Sequence, residues 1–182
     1  MTVYLIRHGQ SEFNAVHTEG DLDPMIFDAP LTKKGRIQAG KVRGQFMELG
    51  IQQVITSPLT RAIQTALTIF QDTTPIKVIA DHRELLSHSC DVGRSPSTLQ
   101  MEFPNLYFGC LDETWWHQGL VNKDGVSVEP REIFQQRVRS FGLKINKISE
   151  INLAIIGHRD VFKELAGLSM ANCEVREYES GD

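Results

Sequence analysis

The chain has 182 residues and a mass of 20.5 kDa, enough for one core of ordinary size and too little for two. With 41% hydrophobic and 23% charged residues it falls among globular chains, away from disordered, collagenous or coiled-coil sequences. Its 19 Lys+Arg against 23 Asp+Glu leave a net charge of -4, so no global field draws it to a phosphate backbone and nucleic acid is not an expected partner.

Three cysteines, Cys90, Cys110 and Cys173, cannot all pair with one another, and no C-x-x-C spacing exists for zinc or a redox cycle. A reducing compartment is expected. The apolar run at the N-terminus meets Arg7 well short of the about 7–15 residues of a signal h-region. Nor do about 18 apolar residues run together anywhere. A soluble, cytoplasmic protein that does not contact membranes is therefore expected.

In chain order, Thr2–Ile6 is β-branched and aromatic with no polar face, the pattern of a strand covered on both sides, and it delivers Arg7-His8-Gly9. Thr32 is a candidate N-cap for a helix with Ile37, Val42, Phe46 and Leu49 on one face and Gly50 as its stop. Gln53–Ser57 predicts a second strand, followed after Pro58 by a helix over Arg61–Phe70. Ile76–Ala80 predicts a third strand. The stretch His82–Asn122 reads as an irregular insertion or lid carrying Trp115-Trp116, more a packed pair than a stacking platform. Helical periodicity returns over Glu129–Ile148 through Ile133, Val138, Phe141 and Ile145. Asn152–Ile156 predicts a fourth strand leading to Gly157-His158, then a helix near Asp160 and a closing edge strand over Asn172–Tyr178.

Strands alternating with helices predict an α/β fold: a three-layer α/β/α arrangement with a mostly parallel central sheet, in a single domain over residues 1–182. Ligands in such sheets gather at the carboxyl ends of strands, where this chain places Arg7-His8, the Ser57–Arg61 turn, Glu84 and Gly157-His158. Arg7 and Arg61 offer planar forks that match a phosphoryl group. His8, kept neutral by neighbouring guanidinium charge, suits a nucleophile towards phosphorus, and His158 a stabiliser of the transferred group. Glu84 suits the proton donor, with Asp160 as a competing acid. No spacing of ligands suits a catalytic metal, and no cofactor is expected.

The stretch Leu5-Ile6-Arg7-His8-Gly9-Gln10-Ser11-Glu12-Phe13-Asn14 resembles the opening of the histidine phosphatase superfamily, in its phosphoglycerate mutase-like branch. Matching stretches follow in order: Pro30-Leu31-Thr32 with Gly35, Gln38 and Ala39; Ser57-Pro58-Leu59-Thr60-Arg61-Ala62 with Gln64 and Thr65; Arg83-Glu84-Leu85; and Gly157-His158. The resemblance implies a phosphoglycerate mutase-like fold with His8 as the phosphorylated nucleophile. It also implies a phosphate pocket of Arg7, Arg61 and His158, a contact from Asn14 to the same group, and Glu84 as the acid. One departure is that many members follow the second histidine with Gly, whereas Arg159 and Asp160 stand here; Arg159 either adds a cation at the rim or faces solvent. The expected activity is metal-independent hydrolysis of a small phosphomonoester through a phosphohistidine. Mutase-type transfer and a non-catalytic phospho-ligand module are the alternatives, and a phosphoprotein substrate stays open. His17, His82, His88 and His117 are expected in solvent or in local hydrogen bonds, with His88 and His117 candidates for substrate contact, and the Cys90-Asp91-Val92-Gly93 turn is expected to be structural.

Overall fold

Residues 2–71, 73–148 and 151–178 are described by the computed structural model of the chain. Its elements are β1 (Val3–Arg7), α1 (Glu12–Val16), α2 (Lys33–Phe46), β2 (Gln53–Thr56), α3 (Thr60–Phe70), β3 (Ile76–Val78), a 3-10 turn at Ser89–Asp91, α4 (Pro96–Glu102), α5 (Arg131–Ile145), β4 (Leu153–Gly157), α6 (Arg159–Ala166) and β5 (Val175–Tyr178). The sheet order is β3-β2-β4-β1-β5. β5 pairs with β1 antiparallel and closes one edge, while the other pairings are parallel.

The strands alternate their side chains between two cores, which is why they read as continuous apolar runs. Tyr4, Ile6, Val54, Ala154 and Ile156 pack against Ala39, Val42 and Phe46 of α2 and Ala62, Ala66 and Ile69 of α3. Val3, Leu5, Ile55, Leu153 and Ile155 pack on the other face against Phe134, Val138 and Phe141 of α5 and Phe162 of α6. Three layers result, as the alternation of elements predicts. Parallel register sets Arg7 opposite Gly157, so His8 and His158 leave adjacent strands side by side at the carboxyl edge.

The faces of two helices differ from expectation. Ile37 and Ile133 are exposed, whereas Gly35 and Ala39 of α2 and Phe134 of α5 face inward. Small residues let α2 lie close to the chain beneath it: a Cβ on Gly35 would come within 2.1 Å of the Gln10 carbonyl oxygen, and one on Gly9 within 2.6 Å of the Gly35 oxygen. Helix α2 begins at the expected cap, Thr32 Oγ1 accepting from Gly35 N at 3.0 Å, and ends at Phe46, before Leu49 and Gly50. The long insertion is less irregular than expected. It contains the 3-10 turn and α4, capped by Ser95 with Pro96 at its first position, a start signal present in Ser95-Pro96-Ser97-Thr98.

Trp115 lies in a third core with Leu59, Ile63, Leu99 and Phe108, donates from Nε1 to Arg94 O at 2.9 Å and meets Trp116 edge-on. Both indoles pack away from the cavity described below. Among the described residues no helix is long and apolar enough to cross a membrane.

Candidate active site

A cavity of about 290 Å³ opens at the carboxyl edge of the sheet, and Arg7, His8, Asn14, Arg61, Glu84 and Asp160 stand in its wall. His8 follows β1, and its backbone is tied down on all sides. His8 N donates to Gly157 O at 3.0 Å, Asn172 Nδ2 to His8 O at 3.0 Å, and Gly9 N to Thr65 Oγ1 at 3.1 Å. Two glutamines of the sequence motifs, Gln38 and Gln64, accept from Gln10 N (2.9 Å) and Leu31 N (2.8 Å). They satisfy backbone donors of the two loops that flank the histidine, a reason for amides at those positions.

The imidazole of His8 has a set tautomer. Nδ1 lies 2.7 Å from Gly9 O, an acceptor only, so Nδ1 carries the proton and Nε2 carries the lone pair. Burial, then the charges of Arg61 and Arg7, hold its pKa well below 6.5, so the ring is neutral. The His158 ring lies 5.2 Å away, centroid to centroid, and is driven neutral by burial and by Arg61. It is wholly buried behind His8 and does not itself line the cavity. Both of its nitrogens lack a hydrogen-bond partner, as does the buried Nε of Arg7, whose Nη1 donates to Met170 O at 2.7 Å. Buried polar nitrogens without partners are uncommon, and the His158 ring that carries two of them lies beside His8.

Arg61 sits in the first turn of α3 and is buried, a placement that a helix N-terminus disfavours for a cation. Its guanidinium is held by Asp91 Oδ1 at 2.8 Å and Cys90 O at 2.6 Å. The other Asp91 oxygen accepts from His88 N at 3.2 Å. The Cys90–Gly93 turn is thus structural, as expected, and its structural task is to grip Arg61. Helix α3 has no side-chain cap of its own; Asp28 supplies one, Oδ1 accepting from Thr60 N at 2.8 Å.

Glu84 is half-buried on the opposite wall, Oε1 accepting from Leu85 N at 3.0 Å and Oε2 from Asp160 N at 3.3 Å. Burial, then the carboxylates of Asp160 and Asp91, raise its pKa from 4.5 to about 7. Asp160 is paired with Arg159 Nε at 3.3 Å at the rim. Arg159 combines its two sequence readings: it is exposed and it lines the mouth.

Asn14 is in α1, where Ser11 and Asn14 cap each other reciprocally: Asn14 N donates to Ser11 Oγ at 3.1 Å and Ser11 N to Asn14 Oδ1 at 3.3 Å. That leaves the Asn14 amide N–H to face the cavity. His88 and His17 line the same wall with rings 5.0 Å apart, so the contact envisaged for His88 is geometrically open and His17 joins it. His117 does not line the cavity. His82 is not in solvent: it is fully buried, stacks on Phe141 at 4.7 Å and makes the local bond of its other reading, to Ile156 O at 3.1 Å. Among the described residues no cluster of three or more His, Cys, Asp or Glu could hold a metal ion.

The fold recurs in solved structures. An alpha-ribazole phosphatase from Shigella flexneri superposes with a TM-score of 0.60 at 23% identity, over 90% of this chain and 76% of that one. A phosphoserine phosphatase from Entamoeba histolytica, solved with 3-phosphoglyceric acid, gives 0.60 at 18%, over 97% and 89%. Among curated proteins, the adenosylcobalamin/alpha-ribazole phosphatase of Escherichia coli K12 is 25% identical over 91% of this chain and 77% of its own length. A probable phosphoglycerate mutase GpmB of an Enterobacter species is 30% identical over 80% of this chain, which spans 64% of that relative. A family model covers residues 3–179, and with that match the chain belongs to the histidine phosphatase superfamily, branch 1.

Proposed function

We propose that the chain hydrolyses a small phosphomonoester, without a metal ion, through a phosphohistidine on His8. The observation that carries this reading is the fixed tautomer of His8: a neutral ring whose Nε2 lone pair is free, flanked by Arg7 and Arg61. In the first step Nε2 bonds to phosphorus as the ester P–O bond breaks. The electron pair leaves on the alkoxide, which takes the proton of Glu84, near-neutral in pKa and therefore partly protonated at pH 7. Arg7, Arg61 and the Asn14 amide, which line the cavity, are assigned to the phosphoryl oxygens, and His158, buried beside the His8 ring with an unpartnered N–H, is assigned to the group once His8 carries it. In the second step Glu84, now a carboxylate, takes a proton from water as its oxygen attacks phosphorus. The N–P bond breaks, and neutral His8 and inorganic phosphate are restored. Glu84 is preferred to Asp160 because the Asp160 carboxylate is already engaged by the Arg159 guanidinium at the rim, whereas Glu84 faces the cavity with a pKa raised to about 7.

A cavity of about 290 Å³ fits a small metabolite and favours it over a folded phosphoprotein segment. The names of its relatives point to sugar- or nucleoside-type phosphates and small phospho-acids, and cytoplasmic residence fits such substrates. Likeness to a phosphoglycerate mutase keeps mutase transfer as a second reading. Acid quench during turnover tests the first step. One acid-labile, base-stable phosphoryl group per chain is expected, lost in His8→Ala; label persisting in that variant, or found on Ser11, overturns the assignment. With 3-phosphoglycerate, free phosphate supports the hydrolase and an isomerised product the mutase.

A further inference from the structure

Glu84 reaches the cavity from a segment, Arg83–Ser87, that has no regular secondary structure. A general acid has to stand within hydrogen-bond reach of its leaving group, and such a segment does not fix that distance by itself. The carboxyl is held by only two backbone donors, and the one from Asp160 N is already long at 3.3 Å. A shift of a few tenths of an ångström would break it.

The backbone of the segment is gripped from below by α5. Arg137 Nη1 donates to Asp81 O at 2.9 Å and to Arg83 O at 2.8 Å. The guanidinium is itself oriented by Glu129, Nε to Oε1 at 3.1 Å and Nη2 to Oε2 at 2.6 Å, and its carbon lies 5.1 Å from the centre of the Phe134 ring. Glu129, whose side chain is fully buried, also accepts from Arg83 Nη2 at 3.0 Å, and its own N–H bonds to Leu86 O at 2.8 Å. The Arg137 guanidinium and the Glu129 carboxylate therefore fasten the chain just before Glu84, and the backbone N–H of Glu129 fastens it just after, at Leu86. Only a planar fork with five donors can meet a carboxylate bidentately and two carbonyls at once; a lysine has one nitrogen to offer.

We propose that Arg137 and Glu129 are positioning residues for the proton donor: they touch neither substrate nor phosphoryl group and act by fixing the backbone that carries Glu84. The inference rests on the assignment of Glu84 as the acid, and the experiment separates the two. Arg137→Lys, Glu129→Gln and Glu84→Gln are compared on an alkyl phosphate and on p-nitrophenyl phosphate, with active sites counted by burst titration. Per active site, Arg137→Lys should slow the alkyl phosphate by about 10–100-fold, approaching the 10²–10⁴-fold range for loss of an acid, while the p-nitrophenolate burst changes less than about threefold. The basic limb of the alkyl-phosphate pH profile should move down as the loosened carboxyl meets water. Glu129→Gln, which keeps shape and a hydrogen bond, should show the same pattern in smaller degree and serves if the arginine variant does not fold. A role confined to stability would lower the burst amplitude and leave both the leaving-group ratio and the pH profile unchanged; that result in the folded variants overturns the proposal. If Glu84→Gln itself shows no leaving-group dependence, the acid assignment fails and the clamp fails with it. An effect in Glu84→Gln alone sinks only the clamp.

Discussion

If Glu84 is stored as a partly buried acid, removing its charge should stabilise the protein at high pH, even as it slows the chemistry. The raised pKa, about 7 against an ordinary 4.5, corresponds to about 3 kcal/mol of preference for the neutral form at 1.36 kcal/mol per unit. The folded state holds the proton over that interval and the unfolded chain does not. Stability from this group is therefore full below pH 4.5, falls as pH rises from 4.5 to 7, and is at its minimum above 7. Glutamine never ionises, but it presents one carbonyl oxygen to two backbone donors, Leu85 N and Asp160 N, and so loses one of these bonds at every pH for about 1–2 kcal/mol. The diagnostic is therefore the slope and not the offset. The difference in unfolding free energy, Glu84→Gln minus parent, should rise by about 2–3 kcal/mol between pH 4 and pH 9, allowing for the part of the carboxyl that meets the cavity. Urea unfolding at several pH values measures it. A difference that stays flat with pH refutes the electrostatic account of Glu84, whatever the activity data show.

Hydrolysis of alkyl phosphates should decline above about pH 7, as Glu84 loses the proton it has to donate, while phosphoryl transfer from p-nitrophenyl phosphate holds further into alkali; pH profiles on both substrates check this. EDTA should leave turnover unchanged, and activity lost to the chelator and restored by Mg²⁺ or Zn²⁺ would refute a metal-free mechanism. Asp91→Asn leaves the buried Arg61 charge without its counter-charge and should cost about 3–5 kcal/mol, a melting temperature lower by about 6–20 °C at this chain length. His82→Leu should relieve acid lability: burial lowers the His82 pKa from 6.5 to about 4, so the parent loses about 3 kcal/mol as pH falls through that interval, and the variant's deficit should shrink over the same interval in pH-dependent melting.

The convergence of Arg7, His8, Arg61 and His158 on one edge of the sheet was legible because its information is local. Arg7-His8-Gly9 follows a strand, Arg61 follows a strand and a proline, and His158 follows a third strand, so topology alone carries them to one edge. What escaped was everything set by pairing across the chain. Asp91 lies thirty residues from Arg61, and Arg137 lies 54 from the Arg83 carbonyl that it holds. No periodicity encodes such pairs, and Asp91 and Arg137 each look like an ordinary surface charge when read alone. The helix faces were misjudged for a different reason. Counting large apolar residues put Ile37 and Ile133 inside, but α2 meets its neighbours through Gly35 and Ala39, where closeness of approach matters more than side-chain area. Asn14 was read as a contact to the phosphoryl group, although Ser11 three residues before it gives the spacing of a capping box.

Arg61 breaks two local rules at once, being a buried cation and standing where the α3 dipole is positive. Asp91 offsets the charge, and Asp28 caps the helix end in place of a residue from α3 itself. The Arg61 charge also acts on the groups around it, second to burial in its effect on both histidines. The guanidinium helps hold His8 and His158 neutral, whereas burial and the Asp160 and Asp91 carboxylates keep a proton on Glu84 to near-neutral pH. The proposed nucleophile and the proposed acid thus face one cavity in opposite states, His8 with a free lone pair and Glu84 with a proton to give. A neutral residue at position 61 would relax His8 towards the imidazolium, which has no lone pair, and would remove the opposing pull that keeps the Glu84 pKa from rising further. The same buried charge thus adds to burial in keeping the His8 lone pair free and limits how far burial and the neighbouring carboxylates raise Glu84.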